Sequence, residues 1–511
     1  MSNFISVDFG MQNLKVCYYD GRKMHRVDLE GNQFSMTKAS VNAVYYKEND
    51  DGKLLRYFFG AKEAENARKY LDPDYVRYIK RELQKEHYSR TFCRNRYQFD
   101  ALQIITDIFR QIHKKMEEER FDTHVPTILT VPVLFSEAQK KMLMYCAETA
   151  GFSVLEIITE PFAALFSEQF FDECIEENDG EEYVMVFDFG ASTLDLCLFQ
   201  ISHSSDDVAI RVISSAGISF GGKDITDLLT DYLMEKYKAI SNTLILSNQL
   251  DKESLQPTFF DTAEEMKNSL YEDEDTPEID RSFFGNKIVL KRTNVDSILE
   301  KNGIWKKINK LITEMLDATD DLDKDDTGLI SKVIMTGGTS KIQYFRDKIH
   351  AMFDDAELIG DPEELDTIYC AVSSGAIYYA LQKNIEVSNS IPMSFGIDIG
   401  NGFECVLNRN SFYNLPGKRK QLSRAKLEKK RWKINVYQTI TTIREHSDVN
   451  LQEILYAGYI QLDPSHYIEN GDICIHFKYT DDGLVASTAY ANEIKRFIDE
   501  NILLSTEVRH G

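Results

Sequence analysis

Proline is scarce in this chain, 10 in 511 residues, and tryptophan rarer still, at two. So low a proline content beside 26 glycines excludes collagen-like and proline-rich disordered classes. No apolar run approaches the roughly 18 residues that a membrane-spanning helix needs, and Met1 to Asp8 meets an acid before any signal-like apolar segment is complete. The eight cysteines (17, 93, 146, 174, 197, 370, 405 and 474) contain no C-x-x-C pair. Several stand in apolar runs, as in Leu194-Asp195-Leu196-Cys197-Leu198, so they read as small buried hydrophobes in a reducing compartment. Ten dispersed histidines without paired spacing supply no zinc ligand set. Positive charge is also short: 59 Lys and Arg against 83 Asp and Glu leave −24, a field that repels nucleic acid and anionic membranes. A cytoplasmic protein with neither kind of partner is expected.

What is present is a chain long enough for three to four domains at about 150 residues each, with 43% hydrophobic and 28% charged residues, as in soluble globular proteins. Its most informative feature is a repeat. Ser6-Val7-Asp8-Phe9-Gly10, followed by Leu14 and Cys17, recurs 180 residues later as Val186-Phe187-Asp188-Phe189-Gly190, followed by Leu194 and Cys197. Each copy is an apolar run ending in Asp-Phe-Gly and leading into a second apolar run, the pattern of a hairpin whose turn starts at the glycine. The spacing is too long for a solenoid and points to a duplicated α/β unit. Between the copies, Asp100 to Glu119 is amphipathic, Thr127 to Val133 is a buried-strand run, and Ser136 caps a helix to Ala150. The acidic stretches 172–182, 272–280 and 317–328 read as solvated loops or unit ends.

A carboxylate at the open end of a buried strand can hold a hydrated Mg²⁺, and the glycine after it lets backbone N–H groups approach phosphate oxygens. Two such hairpins face to face would clamp a triphosphate. Asp398-Ile399-Gly400 has the same form, but only about 110 residues follow it, too few for another clamping unit. Val333 to Thr336 runs into Gly337-Gly338-Thr339-Ser340-Lys341, read as a strand, a tight turn and a helix that Ser340 caps. Such a turn either brings backbone against a flat ligand or phosphate, or simply joins strand to helix. Thr130-Val131-Pro132 and Thr159-Glu160-Pro161 put a Pro and a Glu at successive strand ends, where Glu160 is a candidate general base or Mg²⁺-water ligand.

In order, spacing and content these motifs resemble the heat-shock protein 70 (DnaK-type) chaperones of the actin-like ATPase superfamily, over essentially the whole chain. The resemblance implies a two-lobed α/β ATPase domain, residues 1–383, a linker at 384–390 and a β-sandwich for peptide binding at 391–511. It implies ATP or ADP with Mg²⁺ as cofactors, slow ATP hydrolysis, a polypeptide client, and a J-domain co-chaperone or nucleotide exchange factor as partners. By the same resemblance Asp8 and Gly10, with Met11 and Gln12 after them, form the first phosphate hairpin. Asp188, Gly190, Ala191, Ser192 and Thr193 form the second, and Asp8 and Asp188 reach the metal through water. Lys80, in Tyr78-Ile79-Lys80-Arg81, stands where the family has its catalytic lysine. Pro132 lies near the attacking water, and Glu160-Pro161 is the pair that senses nucleotide. Gly221 and Gly222, then Glu264, Lys267 and Tyr271 on one helix, and Gly337 to Lys341 (including Gly338, Thr339 and Ser340) take the adenosine side, with Lys341 in place of the usual Arg.

Departures from the family pattern carry consequences. Met11 and Gln12 replace two threonines, Ala191-Ser192 replaces Gly-Gly, and Lys223 replaces an acid, so hydroxyl contacts to phosphate are lost and slower hydrolysis is expected. The linker is Ile385-Glu386-Val387-Ser388 rather than a leucine run between acids, which weakens the expectation of interdomain coupling. In the last 120 residues Val406–Leu415, Lys433–Thr439, Tyr459–Leu462, Asp472–Tyr479 and Asp482–Ser487 read as strands, with Asp481-Asp482-Gly483 a turn. Gly400 replaces a bulky peptide-contacting side chain and Phe403 a smaller one, so peptide preference is not inherited. About 20 residues follow Asn492, from which no helical lid is expected. Residues 417–433 hold nine Lys or Arg and one Glu, a basic stretch that serves as a solvated loop, binds nucleic acid, or selects acidic clients or docks the β-domain on the acidic nucleotide domain, the nucleic-acid reading being opposed by a single aromatic and a repulsive field. A filament-forming actin-like protein, a scaffold with little turnover, and a small-molecule kinase are the competing functions. The first lacks an appended β-domain and the last needs a catalytic Asp in a sugar pocket, which no motif supplies.

Overall fold

Alternation decides the first hairpin. Ile5, Val7 and Phe9 of β1 (Phe4–Phe9) and Leu14, Val16 and Tyr18 of β2 (Asn13–Tyr19) point into one core. Ser6 and Cys17 face the other way, toward Ser373. The computed structural model describes residues 3–505 except 31–38, 71, 85–87, 168–169, 172–179, 205–206, 241–248, 273–274, 284, 318–326, 364, 383–384, 389, 392, 399–402, 410, 412, 414–416, 418, 440–453, 468–470, 481–482 and 491–498.

The architecture is mixed α/β. In the first six-stranded sheet the order is Ser153–Thr159, β3 (Pro126–Val131), β1, β2 and Met24–Arg26, with Ser40–Val41 also paired to β2. Strand β3 is parallel to β1, and β1 is antiparallel to β2. Two helices on this sheet start at reciprocal capping boxes: Asp100 with Gln103 for α1 (Ala101–Glu118), and Ser136 with Gln139 for α2 (Glu137–Thr149). Helix α3 (Glu160–Leu165) follows the strand Ser153–Thr159 directly and carries Pro161 in its first turn, where a missing N–H costs nothing.

The second six-stranded sheet repeats the plan around β4 (Gly180–Phe189), β5 (Leu194–Ser204) and β6 (Asp207–Ile218). Strand β4 is antiparallel to β5 and parallel to β7 (Ile330–Thr336), which in turn is parallel to Glu357–Ile359. Met185, Phe187 and Phe189 enter one core and Val184 and Val186 another, because helices cover both faces. The second of these cores also takes Phe162 and Ala163 of α3, and Ala371, Val372 and Ala376 of α5 (Leu365–Leu381), the last helix of this region after α4 (Gln249–Leu270). Apolar packing between the two sheets therefore runs through α3 and α5. Residues 385–388, expected to be a linker, form strand β8 (Ile385–Ser388) on the edge of this sheet, parallel to β6.

Two antiparallel four-stranded sheets complete the chain. One has the order Phe403–Leu407, Ser394–Asp398, Lys433–Thr439, Leu455–Gln461, and the other Lys420–Leu422, Ile473–Thr480, Gly483–Tyr490, Asp499–Leu503. Phe395, Ile397, Val436, Ile475 and Phe477 share one core. Four expected strands lie where the alternation placed them, within a few residues. The one expected to run from Val406 to Leu415 ends at Leu407, where a turn closes from the Ser411 N–H to the Asn408 carbonyl. The Asp481-Asp482 turn, Ile399-Gly400 and most of the acidic stretches 172–182 and 317–328 lie outside the described residues, whereas of 272–280 only 273–274 do, and its end belongs to the strand Glu278–Phe283 rather than a loop. The basic stretch is not a bare loop. Arg424–Lys429 is a short helix, Lys420 pairs with Glu404, Arg424 with Glu428 at 2.9 Å, and Trp432 stacks on Tyr467. Six of the seven described cysteines are buried free thiols and Cys474 is half-buried; Cys174 is among the residues not described.

Candidate functional site

Both Asp-Phe-Gly turns end at one cavity of about 370 Å³. In register, Asp8 faces Thr130 of β3 and Asp188 faces Thr336 of β7, so both carboxylates stand at the carboxyl ends of parallel strands, the place where open α/β sheets bind ligands. Backbone bonds shape each turn. The Asn42 side chain donates to the Gly10 carbonyl at 2.7 Å, and the Gly190 carbonyl accepts from Thr339 Oγ1 at 2.8 Å and from the Gly222 N–H.

Of the residues singled out in the sequence, Asp8, Gly10, Met11, Gln12, Lys80, Pro132, Glu160, Asp188, Gly190, Ala191, Ser192, Thr193, Gly222, Lys267, Tyr271, Gly337, Gly338, Thr339 and Lys341 line the cavity. Three do not. Gly221 lies behind the second turn, where a Cβ would strike the Ala191 and Ser192 backbone. Glu264 sits outside and accepts from Gln12 Nε2 at 3.1 Å. Ser340 is buried and donates to the Gly337 carbonyl at 2.6 Å, so it caps nothing: a 3₁₀ turn spans Gly338–Lys341 and the helix starts only at Gln343. Tyr271 lies one residue past the end of α4 rather than on it. Gly337 needs its lack of a side chain twice over, since its φ is 82° and a Cβ would come within 2.6 Å of Asp188 Oδ1.

Lys80 Nζ donates to Glu160 Oε1 at 2.9 Å, and both side chains are nearly buried. Burial lifts the Glu160 carboxyl above its ordinary range despite that lysine, with the Asp8 charge adding to the lift. Asp188 is held well above the carboxylate range by burial, then by the charges of Glu160 and Asp195. Lys267 donates to the Gly222 carbonyl and to Thr226 Oγ1, and burial draws it down to about 8. Side chains also bridge the two halves: Gln12 to Glu264, Arg77 to Asp261 at 2.9 Å, and Arg81 to Asp224 at 3.1 Å.

Three charged groups escaped the sequence reading, one of them Glu272, which lines the cavity although it opens an acidic stretch read as a solvated loop. Lys15 lies opposite Asp8 on the facing strand and reaches its Oδ2 at 2.7 Å. The signal was there in the turn length, since a hairpin pairing Phe9 with Leu14 must also pair Asp8 with Lys15. Asp195 reads as one polar residue in an apolar strand, yet its Oδ1 accepts from the Val133 N–H at 2.7 Å, tying the second hairpin to the end of β3. Ile368, Tyr369 and Val372 of α5 also line the cavity, and no motif marks them. The cavity lining thus holds four carboxyl groups, Asp8, Glu160, Asp188 and Glu272, and four ammonium groups, Lys15, Lys80, Lys267 and Lys341, with Asp195 behind it. Asp195 Oδ2 is buried without a hydrogen-bond partner. Asp188 has no ion-pair partner among the described residues and is the carboxyl group that fits a bound cation, whereas Asp8 is already paired with Lys15. Among the described residues, no group of three or more His, Cys, Asp or Glu is arranged as a ready metal cluster.

Burial, then the Glu160 charge, pushes Asp195 up to about 7. An unfolded aspartate titrates near 3.9, so between about pH 4 and 7 the folded chain binds the extra proton. Stability should fall as pH rises through that window and level off above it. Asp195→Asn keeps the acceptor for Val133 and removes the charge, so it should flatten this slope in ligand-free protein. Thermal melts of both proteins at pH 5.5 and 8 test it; an unchanged slope in the variant would assign the dependence elsewhere.

Fold and site together define an α/β protein with duplicated hairpins that meet at a cleft lined by carboxylates and lysines. The Hsp70 protein family model matches residues 68–491, and the chain belongs to that family. It is 23% identical over 446 residues to the Chaperone protein DnaK of Buchnera aphidicola subsp. Schizaphis graminum (strain Sg), a match that covers 83% of this chain and 67% of that protein. The first hairpin, with Asp8 and Lys15, precedes the part that the family model matches. No helix among the described residues is long and apolar enough to cross a membrane.

Proposed function

We propose that the cavity binds ATP and ADP, that the chain hydrolyses ATP slowly with Mg²⁺, and that nucleotide state governs the binding of extended polypeptide by residues 391–511. The observation that carries this reading is the meeting of two Asp-x-Gly turns at one cavity with the Lys80–Glu160 pair on its wall. On this reading residues 1–383 are a two-lobed actin-like ATPase domain, 384–390 the linker and 391–511 a β-sandwich. The Gly10–Gln12 and Gly190–Thr193 turns hold the phosphates through backbone N–H groups, while Lys267, Tyr271 and Gly337–Lys341 take the nucleoside. Lys80 stabilises charge on the transferring phosphoryl group and Glu160 orients the attacking water. Asp188 would hold Mg²⁺, which would supply charge neutralisation to the phosphates. Calorimetry of the full chain with ATP and Mg²⁺ tests the reading, and absence of any affinity overturns it. A polypeptide client follows from the family and from the relative's name as a chaperone protein. It is tested by peptide-array binding of the full chain in ATP and in ADP.

Coupling between nucleotide and peptide on this reading runs through α2 and β8. The Glu137 N–H donates to Gln438 Oε1, and the Glu137 carboxylate accepts from Tyr479 OH at 2.6 Å and from Lys140. Lys141 donates to the Leu504 carbonyl and Arg409 to that of Ser215. Removing the carboxylate takes the charged acceptor from the buried Tyr479 hydroxyl and the ion-pair partner from Lys140, a loss of about 1–3 kcal/mol. Glu137→Ala should therefore release the C-terminal sheets, seen as faster proteolysis in the 383–390 region with nucleotide affinity kept. Equal cleavage rates would remove this contact from the coupling.

A further inference from the structure

Lys15 lines the cavity and yet has no part in the phosphate chemistry proposed above. Its strand position makes it face the cleft: Leu14 and Val16 beside it are buried in the core, and Lys15 lines the cavity with Asp8 and Asp188. Burial works against its charge, but Asp8, by charge and hydrogen bond, and Asp188 more than offset this, so the ammonium stays protonated. An ammonium has three donors, and Asp8 takes one at 2.7 Å. A carboxylate so occupied is a poor ligand for a divalent cation, while the lysine places a permanent positive charge on the floor of the cleft.

Resting on the nucleotide reading above, we propose that Lys15 is a tethered cation that binds the nucleotide phosphates directly, so that nucleotide affinity in this chain persists without a divalent metal. Lys15 takes over at Asp8 the charge that a metal would bring, and any metal is confined to the Asp188 side, where it serves turnover rather than binding.

The test is titration of ADP and ATP into the full-length protein, in excess Mg²⁺ and in EDTA, followed by calorimetry, for the parent chain, Lys15→Met and Lys15→Arg. The parent should lose no more than about tenfold in affinity on removing Mg²⁺, whereas Lys15→Met should lose on the order of a hundredfold or more in EDTA and recover part of it in Mg²⁺. Lys15→Arg, which keeps the charge, should behave as the parent. Should Lys15→Met fail to fold with Asp8 unpaired, the double variant Lys15→Met/Asp8→Asn removes both charges and should show the same metal dependence. If EDTA abolishes binding by the parent while Mg²⁺ supports it, the Lys15 assignment is overturned and the nucleotide reading stands. Equal metal dependence in parent and Lys15→Met overturns it as well. If nothing binds even in Mg²⁺, the nucleotide reading itself has failed.

Discussion

Lys80→Ala should lower ATP turnover by about two to three orders of magnitude while leaving ATP affinity within a few-fold. The asymmetry follows from position. Lys80 contacts Glu160 rather than either phosphate turn, with its Nζ 2.9 Å from Glu160 Oε1 and 5.2 Å from the centre of the Phe135 ring. A cation so placed acts on charge that develops during transfer more than on the bound nucleotide. The variant should still fold, because burial already raises the Glu160 carboxyl and a neutral acid is tolerated there without its lysine. That neutral acid no longer orients water, which adds to the loss. Single-turnover hydrolysis with radiolabelled ATP, set beside calorimetric affinity, separates the two quantities. Turnover within a few-fold of the parent would take Lys80 out of the chemistry, and equal losses of binding and rate would make it a binding residue.

A second large effect is expected from one methyl group at a helix crossing. Helices α3 and α5 cross at Gly375, where a Cβ would overlap the Ala163 carbonyl oxygen and stand 2.9 Å from the Ser167 nitrogen. Backbone cannot rotate away as a side-chain end can, so Gly375→Ala must push the helices apart, at a cost of about 1–3 kcal/mol or more. The thermal midpoint should drop by several degrees. The injury reaches the cavity, since α3 begins with Glu160 and α5 carries Ile368, Tyr369 and Val372. Nucleotide affinity should fall with stability, in contrast to Lys80→Ala. A midpoint and an affinity both equal to the parent's would mean that the crossing relaxes at no cost.

Local pattern carried much of this protein. Both hairpins were legible because an apolar run, Asp-Phe-Gly and a second apolar run specify strand, turn and strand within about a dozen residues. The starts of α1 and α2 were legible from the amphipathic pattern that begins at Asp100 and from Ser136 as a cap, since both signals lie within a turn or two of the helix start. Most C-terminal strands were legible because antiparallel alternation shows one buried face. The end of the strand at Leu407 was not, since apolar residues continue past the turn that closes at Asn408.

What the charges mean was decided only in three dimensions. Lys15 becomes a cavity group through the register of β1 and β2, and Asp195 a bridge through the approach of β5 to the end of β3. Glu264, expected with Lys267 on the adenosine side, is drawn instead to Gln12 at 3.1 Å, while Lys267 enters the cavity. The segment 385–388 has the composition of a tether and becomes an edge strand because β6 offers unpaired backbone beside it. The sequence by itself thus determined most of the elements, the duplication and the family, all written in neighbours close along the chain. The tertiary structure decided which charged groups meet at the cavity, because that depends on residues as far apart as Lys80 and Glu160, or Gln12 and Glu264, arriving within about 3 Å, where burial strengthens each charge.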